Sequence, residues 1–448
     1  MTDVPESDVY KLFKKSIENE NVHMIETTVD TGLEWQAVDE CKERISPNLH
    51  VVKERGKIYF NVTLDQFAKV QEMRSIDNIF LISDVRQFQF SKDNEESDMS
   101  LIRDAVNMDM KLEKGLEAWK TVTSFNGKLY PKLEEFEEAE QLHKAEKTLV
   151  DDKHSVLTTP DVRKGRKRGR DPSISNENEI LKYRVTCERT GSHAFESGQV
   201  ARVIGGELQD KYHWLVDLTM YHLEFVCNVI HNELITCLRV THESKHRRNI
   251  LHFGPTTLRA TVCYSLIKLA NPKQGEIIMD PMCGGGSIPI EAAIAFPNTY
   301  VLCGDNHEKA VARTKSNMDG QLVPRSMDLV EWSVSELPLK DSSIDIVVTD
   351  MPFGKRSGSM TDNRVLYKKY LAELGRVSKL GTGRLVLLTY DRRSIQLALQ
   401  VTSSSFKVIK MLGVNMGGLH AAVYVLKRTK FQQYNKEPNK KSSNDAVV

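Results

Sequence analysis

A chain of 448 residues with 62 Lys and Arg against 61 Asp and Glu carries a formal charge of +1, so any nucleic-acid contact must come from local patches and not from a global field. Its seven cysteines are scattered, odd in number and without a Cys-x-x-Cys pair, which argues against a disulfide framework or zinc ribbon and for a reducing compartment. No apolar run approaches the roughly 20 residues that span a bilayer, so the expectation is a soluble cytoplasmic protein, with a nuclear fraction possible, of roughly two to four domains.

Met1-Thr2-Asp3 opens a polar, acidic N terminus, so no signal peptide is expected, and residues 1–20 read as a flexible leader. Residues 21–90 alternate strand-like runs, Met24-Ile25 and Lys57-Ile58-Tyr59-Phe60-Asn61-Val62, with an amphipathic stretch over 33–45. That is a compact α+β pattern. Over 91–180 the character changes to the acidic cluster Glu134-Glu135-Phe136-Glu137-Glu138, then Arg163-Lys164-Gly165-Arg166-Lys167-Arg168-Gly169-Arg170. This reads as an insertion with a charged, disordered linker. The basic run admits three readings: an RNA-backbone contact, a nuclear localisation signal or a solvated charge block.

Regular structure resumes over 181–250. Lys182-Tyr183-Arg184-Val185-Thr186-Cys187 reads as a strand, 196–203 as helix, and 224–230 with 234–240 as a hairpin around His231-Asn232-Glu233. His242-Glu243-Ser244-Lys245-His246 matches H-E-x-x-H, which on a helix aligns two imidazoles on zinc. A strand-like run leads straight into it and Arg247-Arg248 follow, so no metal is expected there.

Over 251–430 the pattern gives a lead-in helix at 256–269, strands ending at Asp280, Gly304, Ser333 and Thr349, and further strands at 384–389, 406–414 and 421–427. Seven strands with helices between them describe an α/β, Rossmann-like doubly wound sheet whose last two strands form an antiparallel edge. A polar tail follows at 431–448.

Three of these strands end in turns that carry chemistry. Ile277-Ile278-Met279-Asp280-Pro281-Met282-Cys283-Gly284-Gly285-Gly286 is a β-branched run halted by an acid and then glycines, with a helix beginning near Ser287. Glycines there let backbone approach a nucleotide closely. Pro289 stands where a dinucleotide fingerprint needs glycine, and no Lys-Ser/Thr pair makes a P-loop, so nicotinamide and ATP readings are demoted. Asp305 ends the next run, 25 residues after Asp280, where an acid accepts both ribose hydroxyls; Asn306 follows it. The third run ends in Asp350-Met351-Pro352-Phe353. Asp350 and the adjacent carbonyl can accept hydrogen bonds from an exocyclic amine, Phe353 can stack on the base, and Pro352 stiffens the turn.

Together, Asp280-Pro281-Met282-Cys283-Gly284, Asp305 and Asp350-Met351-Pro352-Phe353 resemble an S-adenosylmethionine-dependent amino-methyltransferase, whose signature is [Asp/Asn]-Pro-Pro-[Tyr/Phe]. His246-Arg247-Arg248-Asn249-Ile250-Leu251-His252-Phe253-Gly254-Pro255-Thr256-Thr257-Leu258-Arg259 and Gly417-Gly418-Leu419 narrow this to a similarity with the THUMP-domain tRNA guanine-N2-methyltransferases, over most of residues 22–428. The resemblance implies a ferredoxin-like region at 21–90, a THUMP-like RNA-binding domain at 181–250 that grips the tRNA 3′ end, and a methyltransferase domain at 251–430. It implies that Asp280, Pro281, Cys283, Gly284, Gly286, Asp305, Asn306, Ser333 and Val334 bind the cofactor. Asp350, Met351, Pro352 and Phe353 would hold the reacting base. His246, Arg247 and Arg248, at the junction between the binding module and the pocket, read either as an RNA contact or as an interdomain surface cluster. Guanosine 6 of the acceptor stem is the expected target, and a small zinc-containing activator subunit the expected partner.

The sequence departs from the family at three places. Gly285 replaces a Thr, Met351 replaces the first proline of the signature, and Glu331-Trp332-Ser333-Val334 lacks the Asp that binds the adenine amine; Ser333 is a weaker acceptor. Two further readings stay open: an RNA-binding scaffold with an inactive pocket, and an amino-methyltransferase acting on another RNA, DNA or a protein amide. Cys283 lies in the cofactor turn and reads as a structural thiol and not a nucleophile.

Overall fold

The structure, a computed structural model, describes residues 6–91, 93–110, 112–154, 170–254, 256–321, 326–352 and 360–431. The chain divides into two units, Met1–His246 and Arg247–Val448.

In the first unit the elements run α1 (Asp8–Ile17), β1 (Val22–Thr28), α2 (Glu34–Arg44), β2 (Val51–Glu54), β3 (Lys57–Thr63), α3 (Phe67–Glu72), β4 (Ile79–Gln87), α4 (Glu95–Asp104), α5 (Glu113–Thr123), α6 (Leu133–His154), β5 (Lys182–Thr190), α7 (Ser197–Tyr212), β6 (Leu215–Val216), β7 (Leu223–Ile230) and β8 (Glu233–Arg239). The strands form one sheet in the order β2-β3-β1-β4-β8-β7-β5-β6. β4 pairs antiparallel with β8, from Phe80↔Arg239 to Gln87↔Glu233. The regions read from sequence as separate domains, 21–90 and 181–250, therefore share one hydrogen-bonded ladder; apart, each would leave a long edge strand unpaired.

Two further expectations are corrected. Residues 1–20 are not simply a leader, because the Ser7 side chain accepts from the Tyr10 amide and starts α1, whose Val9, Leu12 and Phe13 are buried among Met24, Tyr59, Phe80 and Ile82. Their i, i+3, i+4 spacing is a helical stripe, but a stripe one turn long among lysines is a weak sequence signal. The segment 91–180 is also more than an insertion. Leu116 and Trp119 of α5 are fully buried, and the Trp119 indole donates to the Arg239 carbonyl at 2.8 Å. The acidic cluster opens α6, where Glu134 and Glu135 complement the helix dipole. The basic run at 163–169 lies outside the described residues.

H-E-x-x-H finds no helix. Residues 242 and 243 bend and Lys245–Arg247 makes one 3-10 turn, so the two imidazoles do not share a helical face. His246 Nδ1 meets Asp77 Oδ1 at 3.0 Å instead.

The second unit contains α8 (Ala260–Leu269), β9 (Ile277–Asp280), α9 (Ser287–Ala295), β10 (Tyr300–Asp305), α10 (Glu308–Gly320), β11 (Met327–Glu331), β12 (Ile346–Asp350), α11 (Met360–Val377), β13 (Arg384–Thr389), α12 (Arg392–Val401), β14 (Phe406–Met416) and β15 (Leu419–Arg428). Its sheet has the order β11-β10-β9-β12-β13-β15-β14, parallel from β11 to β13 and antiparallel at β15 and β14. Ile346, Val347, Val348 and Thr349 are all buried, as befits a central parallel strand covered on both faces. Pro289 sits in the first turn of α9, where a missing N–H costs no helical bond. No helix among the described residues is long and apolar enough to cross a membrane.

Candidate active site

Asp280, Asp305 and Asp350 are the last residues of β9, β10 and β12, three neighbouring parallel strands. The order reverses around β9, so all three acids gather at the carboxyl edge of the sheet, beside the switch point where such folds bind ligands. Strand ends read from sequence as Gly304 and Thr349 are thus each one residue longer.

The turn after β9 is wired from several sides. Met282 N donates to Asp280 Oδ1 at 3.2 Å, Cys283 N to the Gly304 carbonyl at 2.9 Å, and Gly284 N to Asp305 Oδ2 at 3.0 Å. Gly284 and Gly286 have φ of +56° and +86°, a region that costs other residues about 1–2 kcal/mol. A Cβ on Gly286 would also stand 2.9 Å from the Thr314 methyl, and that threonine is held by its hydroxyl donating to the Gly284 carbonyl at 3.0 Å. Gly285 is different: a Cβ there comes nearest to Arg313 Cδ, at 3.3 Å, on a flexible side chain. Asn317 Nδ2 donates to the Gly285 carbonyl at 2.9 Å.

Trp332 closes the far side. Its indole donates to the Pro281 carbonyl at 3.1 Å, and it passes so near Gly304 that a Cβ there would lie 2.6 Å from the ring. Val334 is buried with it in the core. Ser333 is exposed and its hydroxyl accepts from Ser335 N at 3.3 Å. Asn306 is exposed directly after Asp305, whose Oδ1 accepts from His307 N at 3.0 Å. Each Asp305 oxygen keeps a lone pair beyond its backbone bond, enough for a ribose diol. The Cys283 thiol is buried, 3.7 Å from Thr314 Oγ1.

At the third turn Asp280 Oδ1 also accepts the Thr349 hydroxyl at 2.7 Å. Burial pushes the Asp280 carboxyl up to about 7. Burial and then the charge of Asp280 push Asp350 up to about 8. Asp350 Oδ1 is buried without a hydrogen-bond partner, an expensive state for an ionised oxygen that an N–H donor or a cation would relieve. Met351 points into the core and its amide donates to the Leu388 carbonyl at 2.8 Å. The Pro352 carbonyl accepts from Tyr367, whose hydroxyl also meets Thr389 at 3.0 Å. Phe353 lies outside the described residues.

Two of the three residues expected to touch RNA have partners within the protein. Arg248 Nη2 binds the fully buried Glu291 at 2.7 Å, and Asn249 donates to the same carboxylate at 3.1 Å. With His246 on Asp77, these side chains serve internal pairs and present no free phosphate clamp. The side chain of Arg247 is outside the described set. Sequence reasoning missed Thr314, Asn317, Trp332, Thr349 and Tyr367. A glycine inside a strand, Gly304, was the available signal for one of them, since it marks a close approach.

Residues 246–422 match the UPF0020 family, described as an RMKL-like methyltransferase domain. The tRNA (guanine(6)-N(2))-methyltransferase THUMP3 of Bos taurus is 37% identical over 452 residues, covering 90% of this chain and 88% of the relative. This chain belongs to the family of the THUMP3 guanine-N2-methyltransferases. Among solved structures, TrmN from Thermus thermophilus superposes with a TM-score of 0.65 at 19% identity, covering 91% of this chain and 99% of that one. SMU.472, a methyltransferase complexed with SAH, gives 0.63 at 13%, covering 93% and 100%. At those identities the likeness speaks for the fold. The family is one of S-adenosylmethionine-dependent enzymes, and the residues fit that cofactor. Three acids at one sheet edge suit its positive charges, and the positive-φ glycines leave room where a side chain would collide.

Proposed function

We propose that the enzyme methylates the exocyclic N2 of guanosine 6 in tRNA. The observation that carries this reading is the buried, partnerless Asp350 Oδ1 at the end of β12, beside a turn built for a nucleoside. Its support on the substrate side is the similarity to the Bos taurus THUMP3 enzyme over nearly the whole chain. S-adenosylmethionine supplies an electrophilic methyl group. Asp280, Pro281, Cys283, Gly284 and Gly286 form its turn, Asp305 and Asn306 take the ribose, and Ser333 and Val334 take the adenine edge, Val334 through its main chain. Asp350 and the Met351 carbonyl accept the two N–H bonds of the guanine amine. That favours a pyramidal nitrogen with its lone pair aimed outward, and stabilises the positive charge that develops there.

The first unit would grip the 3′ end of the tRNA. A small zinc-containing activator would cover an edge of the catalytic sheet; exposed Val408, Ile409 and Met411 on the edge strand β14 support apolar burial by a partner. The reaction would take place in the cytoplasm, with a nuclear fraction. The test is methyl transfer by the full chain, alone and with the activator, to tRNA carrying guanosine or adenosine at position 6. Transfer confined to the guanosine substrate, with N2-methylguanosine found by nucleoside mass spectrometry, is expected. Equal labelling of both, or of a DNA or peptide amide in preference, would overturn it.

A further inference from the structure

A nucleobase held by Asp350 would lie between two unlike borders. In the sheet order, Asp305 and the cofactor turn stand two strands away on one side of β12, and β15 stands two strands away on the other, about 10 Å at the usual strand spacing. On that second side the sheet does not end level. Asp350 pairs with Leu388 and Leu388 with Val423, and β13 stops at Thr389, opposite Ala422. The β14–β15 hairpin runs on without it through Ala421↔Val414, His420↔Asn415 and Leu419↔Met416. From Val423 to Leu419 its tip rises about 13 Å beyond the level of Asp350.

Register also fixes where the tip points. Side chains alternate between faces along a strand and agree between paired residues, so Asp350, Leu388, Val423, Ala421 and Leu419 all lie on one face of the sheet. Val423, Ala421 and its partner Val414 are buried, and the row then continues into the open at Leu419, which is 55% exposed. The tip is stiff. Gly417 and Gly418 have φ of +60° and +90°, as in a two-residue type I′ turn, and Asn415 Oδ1 accepts from Gly418 N at 2.9 Å. Arginines flank it: Arg259 Nη2 stands 3.7 Å from where a Cβ on Gly417 would be, and the exposed Arg392 donates to the Ala421 carbonyl at 3.2 Å. A rigid apolar tip between guanidinium groups suits entry into a base stack, with the cations on the phosphates.

We infer that Leu419 is the wedge that frees the target guanosine from its helix, filling the gap in the stack while the base turns down to Asp350. The inference rests on the tRNA reading above. Nucleotide 6 of a tRNA is paired in the acceptor stem, where one hydrogen of the N2 amine is committed to cytosine. An amine so held cannot give both of its N–H bonds to the buried Asp350 Oδ1 and the Met351 carbonyl, so the base must leave the stack. The cofactor occupies the β9–β10 side, which leaves the β13–β15 side for the helix the base came from. Leu419 stands there, on the same face as Asp350 and above it. In the vacated space a leucine offsets part of the lost stacking and opposes the return of the base.

The test is single-turnover methylation by the full chain, with the activator present, of two tRNAs: one with guanosine 6 paired, the other with an abasic site opposite it. Leu419→Ala should slow transfer to the paired tRNA by about ten- to a hundredfold and to the unpaired one by less than about threefold, with the affinity for S-adenosylmethionine unchanged. Leu419→Phe keeps an apolar wedge and should stay within about fivefold of the parent on both. With 2-aminopurine at position 6, binding of the parent enzyme should raise its fluorescence as the base unstacks, and Leu419→Ala should remove most of that rise. Equal slowing on both tRNAs, slowing on neither, or an undiminished fluorescence rise would overturn the inference and leave the methyltransferase reading intact. Slowing that accompanies loss of the activator from the complex would overturn it too, by assigning the tip to a protein contact. Failure of the parent enzyme to methylate either tRNA would overturn the tRNA reading itself.

Discussion

The indole nitrogen of Trp332 donates to the carbonyl of Pro281 at 3.1 Å, reaching from the end of β11 across β10 to the turn that follows β9. Trp332→Phe keeps the ring and removes this bond. A buried hydrogen bond of this kind contributes about 1 kcal/mol, so the melting temperature should fall by about 2–4 °C, and cofactor affinity, which needs this turn ordered, should fall by no more than roughly fivefold. Equilibrium binding of S-adenosylmethionine measures it.

Two adjacent glycines should respond differently. Gly286→Ala meets both a positive φ and a pinned Thr314 methyl 2.9 Å away, and should weaken cofactor binding by about 1–2 kcal/mol or more. Gly285→Ala crowds nothing more closely than the flexible Arg313 side chain at 3.3 Å and should stay within about 0.5 kcal/mol of the parent. Calorimetric titration of both variants separates them.

Asp350→Ala should cut the single-turnover rate by about a hundredfold or more, while the dissociation constant of S-adenosylmethionine changes by less than about threefold. Rapid-quench transfer of a labelled methyl group, alongside binding, checks both halves. Asp350→Asn keeps an acceptor oxygen and should retain more activity than the alanine variant.

Stability without cofactor should fall as pH rises. The folded-state values of Asp280 and Asp350 are pushed up to about 7 and about 8, above those of the unfolded chain. Over that window the folded state binds more protons than the unfolded one, so each unit of pH costs stability. The loss begins near the ordinary aspartate value and ends above the folded ones. Thermal melts from about pH 5 to about pH 8.5 should show this decline, and Asp280→Asn should flatten it.

Arg248→Ala breaks a pair whose partner Glu291 is fully buried, and should destabilise the catalytic unit by about 3–5 kcal/mol. The salt slope of tRNA binding should be unchanged, because no phosphate contact is lost. Denaturant unfolding and filter binding at several salt concentrations distinguish this from loss of a phosphate contact.

The catalytic sheet was legible because its strands are bounded by abrupt changes of residue type: apolar β-branched runs stop at Asp280, Asp305 and Asp350, and the three turns lie in the order a switch point requires. What stayed hidden was side-chain wiring between those turns. Thr349 reads as one more strand residue, and Trp332 as part of a departure from the family pattern. Only the folded register brings one onto Asp280 and the other onto Pro281. The pairing of Arg248 was hidden for the same reason, since charge in a sequence says nothing about a buried glutamate 43 residues later. In the first unit α1 was missed because its apolar stripe is a single turn long, and the segment 91–180 because its acidic and basic runs drew attention away from Leu116 and Trp119.

The ladder between β4 and β8 has a consequence for biosynthesis. Residue 80 cannot find its partner until residue 239 has been translated, so the nascent N-terminal half leaves the ribosome with β4 as a bare, apolar rim. Pairings this distant close slowly and leave such rims open to other chains in the meantime. Chaperone dependence during synthesis should therefore end only once β8 has emerged.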